Sequence, residues 1–233
     1  MAVFSHDITE RKTAEERLIT SLKEKEVLLR ELYHRTKNNM QVICSMLELY
    51  SMDFDDETVK NVFSELNNKI RTMALVHQKL YKSQNLSCIG MKEYIRELVE
   101  LLMKSYRASP QRITPEYDLD DIFFAIDLAI PCGLLVNELI SNALKHAFPG
   151  SRQGRITVRL KKKEGEYVEL QVADDGIGAP SEFDFKSGGK MGLQTVFALG
   201  GHQLQGKIEF ESSAGVTCRV IFKNKPFTNQ TNI

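Results

Sequence analysis

The stretch LRELYHRTKNNMQVICSML, residues 29–47, decides the architecture of the first third of this chain. It contains neither glycine nor proline and lies inside a longer run of good helix formers, residues 9–50, that also lacks both. We therefore predict one long helix over residues 9–50, capped by Asp7 or Thr9 and ended by the acidic segment at residues 53–56.

Apolar side chains follow a heptad along this helix. The a positions are Leu22, Leu29, Thr36, Ile43 and Tyr50, the d positions include Leu18, Leu32 and Met46, and the e positions include Tyr33, Met40 and Leu47. A stripe this broad favours a helical bundle over a two-stranded coiled coil. A second helix is predicted over residues 57–83. Because one hairpin of two such helices cannot bury both stripes, we expect two antiparallel hairpins to pair as a homodimeric four-helix bundle.

After Asn85 the pattern changes to short strands alternating with helices. Strands are predicted at residues 86–89, 112–117, 155–160, 167–173, 207–211 and 217–222, and helices at residues 91–106, 128–147 and 193–204. The chain is therefore predicted to be an α+β protein. A linker helix (residues 1–20) leads into the helical hairpin (21–85), followed by an α/β sandwich (86–226) and a disordered tail (227–233).

Composition excludes several classes of partner. Lysine plus arginine and aspartate plus glutamate both number 31, so no overall field favours nucleic acid. The most apolar stretch, residues 122–136, is interrupted by Asp127 and Pro131, and no signal peptide opens the chain, so we expect no direct membrane contact. The four cysteines are scattered without metal-binding or redox spacing, which indicates reduced thiols in a cytoplasmic protein.

A second informative segment is NELISNALKH, residues 137–146. On a helix, its spacing places Glu138, Asn142 and either Lys145 or His146 on one face. The Asn142 oxygen suits direct Mg²⁺ ligation, Glu138 can hold a metal-bound water or assist proton transfer, and the basic groups would neutralise phosphate. An ordinary amphipathic helix face is an equally good explanation of these residues taken alone.

The segment DDGIG, residues 174–178, changes that balance. As a hairpin turn it should be followed at once by a strand, but it instead begins a loop of nineteen residues, 174–192, and such length is unusual unless it is functional. The loop closes with GGKMG, residues 188–192, at the start of a helix, where free N–H groups favour phosphate. Lys190 inside it either reaches the phosphates or points into water. The pattern indicates a nucleotide site.

His34 falls at heptad position f, facing away from the bundle, with Glu31 and Asn38 on the same exposed surface. A histidine near its ordinary pKa is mostly neutral and keeps a lone pair that can attack phosphorus. Most helix histidines are only solvated surface residues. Beside a nucleotide site, however, this one is a candidate phosphoryl acceptor.

Residues 29–47, with 73–77 and 80–83, resemble the phosphoacceptor helices of the second HisKA subfamily of sensor histidine kinases, relatives of the HWE kinases. The order of asparagine-bearing helix, Asp-x-Gly-x-Gly turn, glycine lid and terminal strand resembles the Bergerat-type ATP fold of histidine kinases, gyrase and a heat-shock chaperone. The chain departs from the family at Tyr33, where many members carry a second histidine, and at Arg35, where the commoner HisKA kinases carry an acid. Glu31 is then a weak candidate for the base.

The resemblance implies ATP and Mg²⁺ as cofactors and a role for each motif residue. Asp174 would accept the adenine amino proton, whereas Asp175 fills a variable, solvated position. Gly176 and Gly178 would let the base approach the backbone, and Thr217 would reach adenine through water, although one residue separates it from Gly215. The triphosphate would be wrapped by Gly188, Gly189 and Gly192. Asn38 would orient water for dephosphorylation, and His77 would be structural.

The implied function is a histidine kinase core that autophosphorylates His34 and passes the phosphoryl group to an aspartate of a response regulator. Residues 4–12 resemble the exit of a PAS-like sensor domain, which would lie upstream. Two other functions fit parts of the sequence: a nucleotide-binding dimeric scaffold without phosphotransfer, and a gyrase-like ATPase clamp. The second leaves the helical hairpin unexplained.

Overall fold

The computed structural model describes residues 2–82, 87–180, 182–185 and 191–224. Helices α1 (Ala2–Met52) and α2 (Glu57–Lys82) form the predicted antiparallel hairpin. Helix α1 begins within the predicted linker helix (residues 1–20), since residues 2–8 also lack glycine and proline. The predicted cap is wrong, because α1 runs through Asp7 and Thr9 without a break. The acidic segment ends it as predicted. Asp56 then caps α2, accepting a 2.7 Å hydrogen bond from Thr58 N that lowers the pKa of its carboxyl.

The broad apolar stripe of α1 separates into two faces. Tyr33, Met40 and Leu47, at position e, are partly buried, and Cys44, at position b, is buried in the face that packs on α2. The a and d positions face outward instead. Leu29, Leu32, Ile43 and Met46 are 44–56% exposed in the single chain. The hairpin thus uses one face of α1 and leaves the other unpaired.

The remainder of the described chain is a two-layer α/β domain, as predicted. Its elements are β1 (Cys88–Gly90), α3 (Met91–Ser105), β2 (Ile113–Leu119), β3 (Phe123–Ala125), α4 (Ile126–Asn142), β4 (Gly154–Lys162), β5 (Tyr167–Asp174), α5 (Met191–Phe197), β6 (Lys207–Ser213) and β7 (Gly215–Lys223). The main sheet has the order β2-β4-β5-β7-β6, with β2 and β4 parallel and the other pairs antiparallel. Sequence analysis missed β3, which pairs with β1.

Two helices continue as π-helical turns, Ala143–Ala147 after α4 and Ala198–Gln203 after α5. Alternate residues of β4, β5 and β7 are buried against the helical layer, as period-two strands covered on one face should be. The core also takes in α2, because Val76 and Leu80 are fully buried in the same cluster as the helices and strands. The hairpin is therefore docked on the sheet domain.

The four cysteines are free thiols, in agreement with their scattered spacing. By length and composition alone, residues 126–147 are apolar enough to cross a membrane. That segment is α4 with its π-helical turn, and 67% of its most apolar window is buried inside the structure, as expected for the central helix of a domain core.

Candidate functional site

Three of the predicted nucleotide-site residues meet at the start of α5. A Cβ atom built on Gly192 would lie 3.0 Å from Oε2 of Glu138 and 3.6 Å from Oδ1 of Asn142. Gly192 therefore lets the N-terminus of α5 approach the polar face of α4. Glu138 is only 5% exposed, whereas Asn142 lies on the wall of an adjoining cavity together with His146.

This cavity has a volume of about 480 Å³, within the range of small-molecule sites. Most of its wall is apolar, contributed by α4, the sheet and the loop after β5. The apolar lining includes Leu139, Val172, Ile177, Phe210, Val216 and Cys218. Burial raises the pKa of the Cys218 thiol to about 12, so it serves the cavity as an apolar surface. A flat aromatic base fits such a lining.

Asp174 is the acid of this cavity. Its Oδ1 accepts hydrogen bonds from Gly176 N at 3.0 Å and from Val216 N at 3.3 Å, which fix the carboxyl group in place. Burial nevertheless raises the pKa of Asp174, because partial removal from water disfavours the charged form more than the two N–H groups favour it. The side chain is thus a fixed acceptor with capacity left for a ligand donor.

The glycines of the turn have a packing role. A Cβ on Gly176 would lie 2.4 Å from the carbonyl oxygen of Ala147, and one on Gly178 would lie 3.0 Å from that of Ser213. The missing side chains therefore make room for the protein's own backbone. Gly178 also has φ +73°, a conformation that favours glycine. Of the two, only Gly178 lines the cavity.

Three phenylalanine rings that were not predicted, Phe183, Phe185 and Phe210, form one side of the cavity. Phe185, from the loop, stacks on Phe210 of β6 with ring centroids 4.6 Å apart and planes 10° apart, and Phe183 meets Phe185 edge to face at 5.1 Å. All three rings line the cavity. Two phenylalanines spaced by one residue, in a long polar loop just before the glycine lid, were a signal that could have identified them.

Thr217 is not brought to the cavity. Its neighbours Val216 and Cys218 both line it, so the intervening residue of β7 points to the other face of the sheet. Asp175 is held rather than simply solvated, because its carboxylate accepts from Arg155 N at 2.6 Å and from the guanidinium at 3.2 Å. Gly188, Gly189 and Lys190 lie outside the described residues.

Lys145 also departs from its predicted place. Its ammonium group pairs with Glu65 of α2 and lies over the ring of Tyr106, away from the cavity lining. The π-helical turn explains this, since a wider turn keeps residue i+4 over Asn142 and rotates residue i+3 away. His146 therefore stays with the cavity, and Lys145 turns towards α2.

His34 is exposed on α1, as predicted. Its ring lies against Tyr81 of α2, with centroids 5.5 Å apart, and its Nδ1 is 3.5 Å from the Asn38 amide nitrogen. At this distance the contact is at the limit of a hydrogen bond, and which group donates depends on the tautomer of the imidazole. His34 does not line the cavity.

Two neighbouring residues have structural roles. Glu31 pairs with Arg35 at 2.6 Å, and this hydrogen bond lowers the pKa of the Glu31 carboxyl, which makes it a poorer base. His77, predicted to be structural, is buried with its ring 5.9 Å from that of Tyr33, and burial lowers its pKa.

Both parts of the chain match families of known proteins. Residues 31–106 match the histidine kinase family model HisKA_2, and residues 129–228 match the model for histidine kinase-, DNA gyrase B- and HSP90-like ATPases. The sensor histidine kinase PdtaS of Mycobacterium tuberculosis is 28% identical over 209 residues, covering 89% of this chain and 40% of the relative. Blue-light-activated histidine kinase 2 of Erythrobacter litoralis is 27% identical over 176 residues, covering 73% of this chain and 49% of the relative.

Solved structures show the same fold. The Erythrobacter litoralis EL346 blue-light-activated histidine kinase superposes with a TM-score of 0.65 at 24% identity, covering 84% of this chain and 58% of that one. Its separate histidine kinase domain superposes with a TM-score of 0.63, covering 90% of that chain. This chain spans 40% of the length of the PdtaS relatives and about half that of the blue-light-activated kinase.

Proposed function

We propose, from the premise that this chain belongs to the histidine kinase family through both of its matched domains, that it is an ATP-dependent kinase core that phosphorylates its own His34. One observation carries the proposal. The same chain holds an exposed imidazole on α1 and, in its second domain, an apolar cavity with a fixed acid and an acid-amide pair on α4. Acceptor and donor chemistry thus occur together.

Adenine fits the apolar part of the cavity. Its faces would contact Leu139, Val172 and Phe210, and its amino group would donate to Asp174. Gly192 and the N-terminus of α5, which face Asn142, would receive the phosphates. Gly188, Gly189 and Lys190 are proposed as further phosphate contacts.

The donor set suits Mg²⁺. No group of three or more histidine, cysteine, aspartate or glutamate side chains is gathered for a metal among the described residues. A metal held by one or two protein oxygens together with nucleotide phosphates needs no such group. The Asn142 oxygen and the Glu138 carboxylate would hold it, and when bound it would neutralise phosphate charge.

Transfer requires His34 to reach the γ-phosphorus in line. The imidazole lone pair forms the N–P bond while the bond from phosphorus to the bridging oxygen breaks, ADP leaves with that electron pair, and the ring proton passes to water. Positioning supplies most of the rate enhancement. Since His34 does not line the cavity, transfer requires either a movement of the sheet domain relative to the hairpin or a nucleotide held by the partner subunit of the proposed dimer.

We also propose a homodimer and two partners. The outward a and d positions of α1 form an apolar face suited to a second copy of the hairpin. Phosphohistidine would pass its group to the aspartate of a response regulator. Asn38 would orient water for hydrolysis of the resulting aspartyl phosphate, which releases inorganic phosphate. A PAS-like sensor would act through the N-terminal end of α1 in a cytoplasmic protein.

Labelled ATP tests the acceptor. Incubation with γ-labelled ATP and Mg²⁺ should give acid-labile, base-stable label on the wild type and none on His34→Ala. His202→Ala is the matched control, because that histidine is also exposed but lies in the sheet domain, and it should keep the label. Addition of a receiver domain should then remove it.

Three other outcomes of this experiment would contradict the proposal. Label that persists in His34→Ala overturns the acceptor assignment. An ATP analogue that binds without any phosphohistidine forming would favour the dimeric scaffold. Steady ATP hydrolysis unaffected by His34→Ala would favour an ATPase clamp.

A further inference from the structure

Helix α2 supplies a counter-ion to the acid of the nucleotide site. The Lys69 ammonium lies 2.5 Å from Oε1 of Glu138, whose side chain is almost fully buried. Apart from this ion pair, the oxygen has no hydrogen-bond partner among the described residues. The ammonium charge is thus what offsets the burial of the carboxylate.

A second ion pair of opposite polarity lies beside the first. Glu65, one turn before Lys69 on α2, pairs with Lys145, which follows Glu138 by seven residues and lies in the π-helical turn after α4. On α2 the acid Glu65 precedes the base Lys69. Each meets a residue of opposite charge, Lys145 for Glu65 and Glu138 for Lys69. Such complementarity fixes which residues of the two helices meet.

Neutral hydrogen bonds lie beside the two pairs. Asn137 Nδ2 donates to Thr72 Oγ1 at 2.7 Å and to the carbonyl oxygen of Asn68 at 3.2 Å. All three residues are buried. Asn68 in turn accepts from Ser105 of α3 at 2.8 Å. The docked arrangement of α2 on the sheet domain is thus a specific one.

We propose that Glu65 and Lys69 form a polar latch that competes with magnesium nucleotide for Lys145 and Glu138. The proposal rests on the proposed function, which assigns Glu138 to the metal, and it adds that Lys145, once released from Glu65, contacts a phosphate. Oε1 of Glu138 cannot contact a metal while an ammonium group occupies that side. Lys145 cannot reach a phosphate while it is paired with Glu65.

The latch couples domain movement to nucleotide binding. A ligand that binds the undocked state better shifts the population towards that state, and undocking strengthens ligand binding by the same factor. The movement that brings His34 to the nucleotide would thereby follow from filling the site. In the docked state the same contacts keep the acceptor and the donor apart.

The test measures dissociation constants of the magnesium complex of AMPPNP, a non-hydrolysable ATP analogue, by calorimetry on the full chain. Lys69→Gln and Glu65→Gln should each bind it roughly five- to tenfold more tightly, because the fraction of competent molecules rises. The matched controls are Lys60→Gln and Glu57→Gln. They break an ion pair within α2 at 3.0 Å that does not touch α4, and they should bind as the wild type does.

Hydrogen exchange gives a readout that does not depend on activity. Exchange of residues 65–72 should rise in Lys69→Gln without nucleotide, and in the wild type when the analogue is added. Thr72→Val provides a second variant if Lys69→Gln does not fold, because it loosens docking and leaves both ion pairs intact; it too should bind the analogue more tightly.

The outcomes separate the two proposals. A wild type that does not bind the analogue overturns the proposed function. Normal binding with equal affinity in Lys69→Gln, Glu65→Gln and the controls overturns the latch alone. Tighter binding in Lys69→Gln, Glu65→Gln and Thr72→Val, with wild-type affinity in Lys60→Gln and Glu57→Gln, supports it.

Discussion

Asp174 lies where three stretches of backbone meet: the end of β5, the turn after it and the start of β7. A Cβ on Gly215 would lie 1.9 Å from the Asp174 carbonyl oxygen, and Gly215 has φ +111°. Close backbone packing therefore places the carboxyl group, and the N–H groups of Gly176 and Val216 fix its direction. A ligand donor finds an acceptor that is already oriented.

Asp174→Asn should weaken binding of an adenine nucleotide roughly ten- to hundredfold, since a hydrogen bond to a charged group contributes about 1.5–3 kcal/mol. Titration calorimetry measures the affinity. Asp175→Asn is the neighbouring control, because that carboxylate pairs with Arg155 outside the cavity lining. Equal losses of affinity in the two variants would contradict the assignment.

The same variant has a stability consequence with a definite sign. Burial raises the folded-state pKa of Asp174 above its usual 3.8, so the stabilisation by the protonated form is complete below pH 3.8 and lost as pH rises through the folded-state value. Without nucleotide, Asp174→Asn should be at least as stable as the wild type at neutral pH. Urea titrations should show this difference shrinking as the solution is acidified.

At the scale of elements, α1 is a helix with two apolar faces. One packs on α2, and the other, at the a and d positions, is open to a second hairpin. Burying a leucine contributes about 1.5–3 kcal/mol, so the proposed four-helix arrangement would depend on burial of these exposed side chains.

Leu29→Glu combined with Leu32→Glu should convert the proposed homodimer into a monomer, which sedimentation would detect. Val27→Glu is the matched control. Val27 is 65% exposed, against 44% for Leu29 and 56% for Leu32, but it lies at position f, facing away from the proposed seam. Loss of the dimer in the control as well, or its survival in the double variant, would remove this interface.

At the scale of the whole molecule, hairpin and sheet domain share one core. Val76 and Leu80 of α2 are fully buried within it, although the sequence signals place a boundary just after α2. Docking therefore contributes to the stability of both parts, and release of the sheet domain must expose apolar surface.

Leu80→Ala should lower the free energy of unfolding by about 2–5 kcal/mol, the usual range for a buried leucine. Val62→Ala, on the same helix at 53% exposure, should change it by no more than about 0.5 kcal/mol. Denaturant titration followed by circular dichroism measures both. A small effect of Leu80→Ala would mean that the hairpin and the sheet domain do not share a core in solution.

Local pattern was enough to predict most elements and several site residues. Apolar periods identified every helix in the described chain and the five strands of the main sheet, because those signals arise within one element. The spacing of Glu138 and Asn142 on one helix, and the turn that begins at Asp174, were likewise local. The strand β3 was missed, since three residues, Phe-Phe-Ala, carry no measurable alternation.

Only the tertiary structure decided which way the remaining groups face. It turned Lys145 to Glu65 through a π-helical turn, placed Thr217 on the far side of β7, brought Phe185 against Phe210 and set Lys69 on Glu138. These contacts join residues distant in sequence, and which residues meet depends on how whole helices and strands pack. The sequence by itself determined the elements and their chemistry, because periodicity and turn preference are local properties. The fold decided which charges are paired, because the side chains come within ion-pair distance only when the elements have packed together.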